Sequence, residues 1–132
     1  KGQKDKCPLK PIKILIIEDE LTTRETFAAI LKDCNYKVET AENGRQAIEK
    51  TGKEFINVAF IDIVLGEVNG VDTLRMIKAV SPQTVCIMMT AYSVEDMINT
   101  ALEVGAAACI FKPFDVDETI DLIKKVCGKA IH

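Results

Sequence analysis

An α/β fold, with one parallel sheet covered by helices on both sides, is predicted for this chain by three observations. Five short apolar runs alternate along it with five segments of helical period. Turn and cap signals (Asn43-Gly44, Ser81-Pro82, Gly105) fall between those segments and not within them. The length, 132 residues, suits a single domain with a real buried core. Together they argue one domain of β-α units and not two domains.

Taken in order, residues 1–11 are polar, carry Pro8 and Pro11, and read as a flexible N-terminal arm. Lys13–Ile17 is a β-branched run, the predicted first strand, ending at Glu18-Asp19-Glu20. Phe27, Ile30, Leu31 and Cys34 recur at i, i+3, i+4, i+7 and predict the first helix. Tyr36–Ala41 alternates weakly as a second strand, and Asn43-Gly44 opens a short helix ending near Gly52. Asn57–Ile61 is the third strand. Gly70–Val80 places Val71, Leu74 and Ile77 on one helical side, and Ser81-Pro82 stops it. Thr84–Met89 is a fourth, buried strand. Ser93 with Asp96 resembles a capping box, Val94, Met97, Ile98, Ala101 and Leu102 form an apolar face, and Gly105 closes the helix. Ala107–Phe111 is the fifth strand. Asp115 with Glu118 opens the last helix, whose face is Val116, Ile120, Ile123 and Cys127. The domain is thus expected over residues 12–127, with 128–132 a C-terminal tail.

Composition excludes several classes. Apolar residues make up 48% and charged residues 28%, ordinary for a soluble globular protein. A net charge of −3 gives no electrostatic reason for direct nucleic-acid binding. No apolar run approaches the ~20 residues of a membrane span, and no signal peptide is visible. The five cysteines form no C-x-x-C pair and suggest reduced thiols in a cytoplasmic protein rather than a disulfide framework or zinc site. The lone histidine is terminal His132, which argues against histidine chemistry from within the chain. A start at Lys1 without methionine suggests a fragment of something longer.

Ligands of open α/β sheets bind beyond the carboxyl ends of the strands. There the chain places Glu18 and Asp19 after strand one, Asp62 after strand three, Thr90 after strand four and Lys112 after strand five. If strands one and three are neighbours, three carboxylates converge. Such a cluster raises its own pKa values unless a cation intervenes, and its hard oxygen ligands suit Mg²⁺. Lys112 supplies a point charge that attracts a phosphoryl group, Thr90 offers a hydroxyl, and a carboxylate is itself a nucleophile able to form an acyl phosphate. Each residue alone has an ordinary explanation: an N-cap, a strand end, a turn, a solvated lysine. Their coincidence at four strand ends is what points to a site.

These residues, over roughly 12–127, resemble the receiver domain of two-component response regulators. The resemblance rests on IIEDE at 16–20, Asp62 with Gly70 eight residues later, MMTAYS at 88–93 and GAAACIFKPF at 105–114. It implies a flavodoxin-like three-layer sandwich, its five-stranded parallel sheet ordered 2-1-3-4-5 with five helices. It implies Asp62 as phosphoacceptor, receiving phosphate from a sensor histidine kinase or histidine phosphotransfer protein. Mg²⁺ (or Mn²⁺) would be held by Glu18, Asp19, Asp62 and the Val64 backbone carbonyl. Thr90 would hydrogen-bond the phosphoryl group, Lys112 would pair with Asp62 or its phosphate, and Lys112-Pro113 would be a cis peptide. Thr90 and the residue at Cys109 would form the switch. Output would pass through the face of the fourth helix, fifth strand and fifth helix (α4-β5-α5), to a partner or in a homodimer. Catalysis would be confined to phosphoryl transfer onto Asp62 and slow autodephosphorylation.

Three departures stand out. Gly66 occupies a place often held by proline, loosening the loop after Asp62. Cys109 stands where the family usually carries an aromatic that swings between two rotamers, and it is too small for that switch. Glu18 replaces a more usual aspartate and keeps the carboxylate. Val64 and Tyr92 would flank the approach of water and slow loss of the phosphate. Among other readings, a Mg²⁺-dependent phosphohydrolase would carry an acidic residue where Val64 stands, and a dinucleotide fold would show G-x-G-x-x-G after strand one. A pseudo-receiver that binds partners without phosphate is the nearest alternative. No output domain follows residue 127, so the chain reads as a stand-alone regulator or an excised receiver.

Overall fold

The computed structural model describes residues 11–65, 68–91 and 95–131. Five strands, β1 (Lys13–Ile17), β2 (Lys37–Ala41), β3 (Val58–Asp62), β4 (Val85–Thr90) and β5 (Ala108–Phe111), form one sheet. Its order is β2-β1-β3-β4-β5 and every pairing is parallel. The crossovers are α1 (Leu21–Asp33), α2 (Gly44–Lys53), α3 (Gly70–Val80) and α4 (Glu95–Val104), and α5 (Val116–Ile131) follows β5. This is the expected three-layer α/β sandwich with the order 2-1-3-4-5.

The central strands are buried on both faces, which is why their sequences read as unbroken apolar runs. Leu15, Ile17, Ala59, Ile61 and Met88 face one way, onto Ala47, Leu74, Ile77 and Ala101 of α2, α3 and α4. Ile14, Ile16, Val58, Phe60, Ile87 and Met89 face the other, onto Phe27 and Leu31 of α1 and Ile123 and Cys127 of α5. Each fully buried large side chain contributes about 1.5–3 kcal/mol. The sheet is thereby a rigid platform for the polar residues at the ends of its strands.

Helix starts are fixed by side chains accepting orphan N–H groups. Glu20 accepts from the Thr23 N–H at 2.9 Å, Asn43 from Gln46 at 2.9 Å and Asn69 from Val71 at 2.7 Å. Asp115 accepts from the Glu118 N–H at 3.1 Å, as the sequence predicts. At the end of α4, Gly105 takes φ +129°, a conformation closed to residues with a Cβ, and its N–H donates to the Ala101 carbonyl at 3.1 Å. Among the described residues no helix is long and apolar enough to cross a membrane.

Several expected details differ. The seam of α1 runs through Arg24, Phe27, Ala28 and Leu31, leaving Ile30 and Cys34 only half-buried. Leu102 is 45% and Val116 40% exposed, because α4 and the first turn of α5 flank β5, a sheet edge with no neighbour beyond it among the described residues. α5 continues to Ile131, past the expected boundary at 127. Val64–Leu65 also pairs antiparallel with Val68–Asn69, a ladder too short to leave a periodic signal. The arm residues 1–10, Gly66, Tyr92, Ser93 and Val94 lie outside the described residues.

Candidate functional site

Register places the polar strand ends side by side. Ile17 of β1 pairs with Ile61 of β3, so Glu18 follows β1 where Asp62 ends β3. Asp62 pairs with Met89, and Thr90 with Phe111, which brings Thr90 and Lys112 to the same edge. Carboxylate oxygens of Glu18, Asp19 and Asp62 all lie within 4.8 Å of one another. Glu18 and Asp62 are buried, 1% and 6% exposed, whereas Asp19 faces solvent.

Lys112 is the cation that makes this arrangement tolerable. Its Nζ donates to Glu18 Oε1 and, at 2.8 Å, to Asp62 Oδ2, bridging both buried carboxylates. Asp62 Oδ1 accepts from the Val64 N–H at 3.0 Å, and Glu18 Oε2 from the Glu20 N–H at 3.2 Å. Burial pushes the Glu18 carboxyl upward, the Lys112 and Glu20 hydrogen bonds pull it back, and the Asp62 charge adds to the rise. For Lys112, burial works to lower the pKa, but the hydrogen bonds and charges of Asp62 and Glu18 outweigh it and the net shift is upward. The ammonium therefore keeps its proton.

Backbone contacts hold these groups in place. The Lys112 N–H donates to the Thr90 carbonyl at 2.8 Å, and the Ile63 N–H to the Met89 carbonyl at 2.9 Å. The Lys112–Pro113 peptide is cis. Phe114 packs on Phe27 with ring centroids 4.8 Å apart, and Phe27 packs edge-on against Phe60 at 5.1 Å. Gly70, first residue of α3, lies against the end of β3: a Cβ there would fall 1.9 Å from the Asp62 carbonyl oxygen. The Gly70 N–H donates to the Ile63 carbonyl at 2.6 Å. Beside Lys112 an apolar groove of about 520 Å³ opens between α1 (Thr22, Thr26, Ile30) and the chain leading from Phe114 into Val116, the first residue of α5.

Of the residues picked from the sequence, Glu18, Asp19, Asp62 and Lys112 come together directly, and Thr90 lies fully buried at the same sheet edge. Val64 meets Asp62 through its N–H, and its side chain is 39% exposed. Cys109 is not among the carboxylates. It sits on β5 opposite Met88, half-buried against the core on the α4 side, and burial pushes its thiol pKa up. Sequence reasoning missed Arg24, a buried guanidinium whose Nη1 donates to the Glu18 carbonyl at 2.9 Å. The available signal was a cation standing at i−3 of the Phe27 seam, where a core-facing helix normally carries an apolar residue.

Comparison with known proteins agrees with this geometry. The family model for the response regulator receiver domain matches residues 14–124. The transcriptional regulatory protein ZraR of Klebsiella oxytoca is 35% identical over 107 residues, 81% of this chain but 24% of its own length. This chain thus spans about a quarter of that relative. Sporulation initiation phosphotransferase F of Bacillus subtilis (strain 168) is 34% identical, over 86% of this chain and 91% of that protein. A crystallised CheY-like receiver domain protein from Methanospirillum hungatei JF-1 superposes with a TM-score of 0.86 at 29% identity, covering 92% of this chain and 98% of that one. With its parallel sheet and acidic strand ends, the chain belongs to the receiver-domain family of two-component response regulators.

Proposed function

We propose that Asp62 accepts a phosphoryl group from a sensor histidine kinase or a histidine phosphotransfer protein. The observation that carries this reading is the meeting of three carboxylates with one ammonium at the strand ends. The donor set fits Mg²⁺, a hard cation that prefers a few carboxylates. Glu18, Asp19, Asp62 and the Val64 carbonyl would hold it, and it would supply charge stabilisation to the transferring phosphoryl group.

The chain's own residues do the rest. An Asp62 carboxylate oxygen forms the new O–P bond as the donor's N–P bond breaks, and the electron pair of that bond leaves with the imidazole nitrogen. Lys112, already on Asp62 Oδ2, meets the negative charge the phosphoryl group brings. Thr90 supplies a hydroxyl to a phosphoryl oxygen. The apolar groove between α1 and α5 gives the phosphodonor a surface beside Lys112.

Output runs through α4, β5 and α5, where Leu102, Phe111 and Val116 are each at least 40% exposed, fitting a partner or a second copy of the chain. Cys109 cannot sweep out the volume of an aromatic switch, so Thr90 is coupled to that face by backbone shifts of β4 and β5 through the Thr90–Lys112 bond. The module acts in the cytoplasm, matching its thiol cysteines Cys34, Cys86, Cys109 and Cys127. Val64, exposed above Asp62, hinders attacking water and prolongs the phosphate's life. A pseudo-receiver is disfavoured by the intact site, and a phosphohydrolase by the apolar residue at 64.

Intact mass after incubation with acetyl phosphate and Mg²⁺ tests the reading. One added phosphoryl group is expected on the wild type and none on Asp62→Asn. Failure of the wild type to gain mass would sink the phosphoacceptor role for this donor. Gel filtration with and without beryllofluoride then reports whether the modification changes oligomeric state.

A further inference from the structure

Arg24 is a charged residue in an apolar seam, 7% exposed, and phosphoryl transfer onto Asp62 gives it no part. Its Nη1 donates to the Glu18 carbonyl at 2.9 Å and reaches the Asp19 carbonyl at 3.4 Å. Nη2 lies 3.8 Å from the Glu42 carboxylate, which is itself 58% exposed and so a weak, screened partner. Burying a guanidinium for one loose ion pair is costly. Its Nη1 is instead directed at the backbone of the two residues that present carboxylates to the strand-end cluster.

The chain between β1 and α1 is short, only Glu18, Asp19 and Glu20. One side of it is tied to β2 by the Glu18 N–H, which donates to the Ala41 carbonyl at 3.1 Å. Its other end is tied to α1 by the Glu20 cap. The Glu18 and Asp19 carbonyls point back toward Arg24, and with those carbonyls held the two side chains leave the turn in fixed directions.

We infer that Arg24 is a positioning residue for the cation site, orienting Glu18 and Asp19 through their carbonyls without touching the ion. The inference rests on the proposed Mg²⁺ site. Its positive charge by itself opposes a second cation nearby, so a neutral replacement would mix two effects of opposite sign. Arg24→Lys separates them. Lysine keeps the charge but, on a flexible stem, lacks the rigid planar guanidinium that seats Nη1 between the two carbonyls while Nη2 faces Glu42.

Mn²⁺ affinity of wild type and Arg24→Lys, read by the loss of the free-ion electron paramagnetic resonance signal, is the direct test. Urea unfolding of the same samples shows how much of each is folded. Outer-shell partners of metal sites are worth about 10–100-fold in affinity, and because Arg24 acts through backbone we expect the low end, about tenfold weaker binding. Half-saturating Mg²⁺ for phosphorylation by acetyl phosphate should rise by the same factor, with the rate at saturating Mg²⁺ nearly unchanged. A merely structural arginine would lower the active fraction and leave half-saturation where it was. Equal affinity in folded Arg24→Lys overturns the inference. Should lysine not fold, Arg24→Gln carries the test: affinity equal to or tighter than wild type overturns the proposal, and weaker binding despite the removed like charge supports it. A wild type that binds no Mn²⁺ overturns the cation site itself and the inference with it.

Discussion

Replacing Gly70 by alanine should be the most damaging one-methyl change near the site. The added Cβ would lie 1.9 Å from the Asp62 carbonyl oxygen and 2.9 Å from both the Asp62 carbonyl carbon and Ile63 Cα. All three are backbone atoms at the end of a buried strand, so no side chain can swing aside. Restoring ordinary contact, about 3.4 Å, needs about 1.5 Å of separation between α3 and β3, as overpacking of a dense interior demands. That movement breaks the 2.6 Å bond from the Gly70 N–H to the Ile63 carbonyl. Overpacking costs about 1–3 kcal/mol and a lost hydrogen bond about 0.5–1.5. Alanine returns about 0.5–1 through lower unfolded-state entropy and better helix propensity. The net loss lies between about 0.5 and about 4 kcal/mol with its centre at about 2.3, which is about 8 °C in Tm for a domain of this size.

Circular dichroism melts and urea titrations of Gly70→Ala against wild type measure this loss. Phosphorylation by acetyl phosphate should fall as well, since a misplacement of about 1 Å can cost 100-fold in rate. Gly52→Ala is the control: it is helical, no atom lies within 4 Å of its Cβ position, and it should gain about 0.5–1 kcal/mol. A Gly70→Ala melting temperature within about 2 °C of wild type would refute the packing argument.

The remaining predictions concern buried polar groups. Thr73→Val should stabilise by about 1 kcal/mol in urea titration. The Thr73 hydroxyl has no hydrogen-bond partner among the described residues and is fully buried, so removing it relieves about 1–3 kcal/mol, less what the bulkier methyl loses against Gly44. Lys112→Met should destabilise by about 2–4 kcal/mol at pH 7 by leaving Glu18 and Asp62 buried without a cation, and saturating Mg²⁺ should restore part of it. The folded-state pKa of Glu18 is raised above 4.5 by burial, so its contribution to stability is fully present below 4.5 and lost as pH rises through the raised value. In urea titrations Lys112→Met should therefore recover relative to wild type as pH falls from 7 toward 5. Burial raises the Cys86 thiol from 9.0 to about 11, so its contribution is complete below pH 9 and fades up to about pH 11. At about 1.4 kcal/mol per unit, stability curves for wild type should fall by about 2–3 kcal/mol more than those of Cys86→Ala over that range.

The sheet was legible because β1, β3 and β4 are covered on both faces, and burial on both sides leaves one kind of residue along each run. The strand-end residues were legible for the converse reason: Asp62 and Thr90 interrupt or end those runs, and a polar group there needs a partner. Helix faces were less so. Periodicity says that Met97, Ala101 and Leu102 share a side of α4, but not that β5 is the last strand of the described sheet, and that edge is what exposes Leu102. Arg24 escaped for a similar reason, since an arginine among Phe27, Ala28 and Leu31 looks like the polar margin of an amphipathic helix until the Glu18 carbonyl is found 2.9 Å away.

Gly70 shows the limit most clearly. Its spacing from Asp62 can be counted in the sequence, yet nothing in the letters says that its missing Cβ makes room for the carbonyl of the residue eight positions earlier. That contact depends on the angle at which α3 leaves the sheet, set by Val71, Leu74 and Ile77 packing beneath β1 and β3. The carboxylate of Asp62 is therefore aimed from two sides. Its strand partners fix the backbone, and a helix brought within reach by its own apolar face packs Gly70 against the carbonyl behind it and bonds the next carbonyl, that of Ile63. A substitution far down α3 that tilts this helix should move Asp62 as surely as one beside it, which makes the core under α3 part of the site in energetic terms.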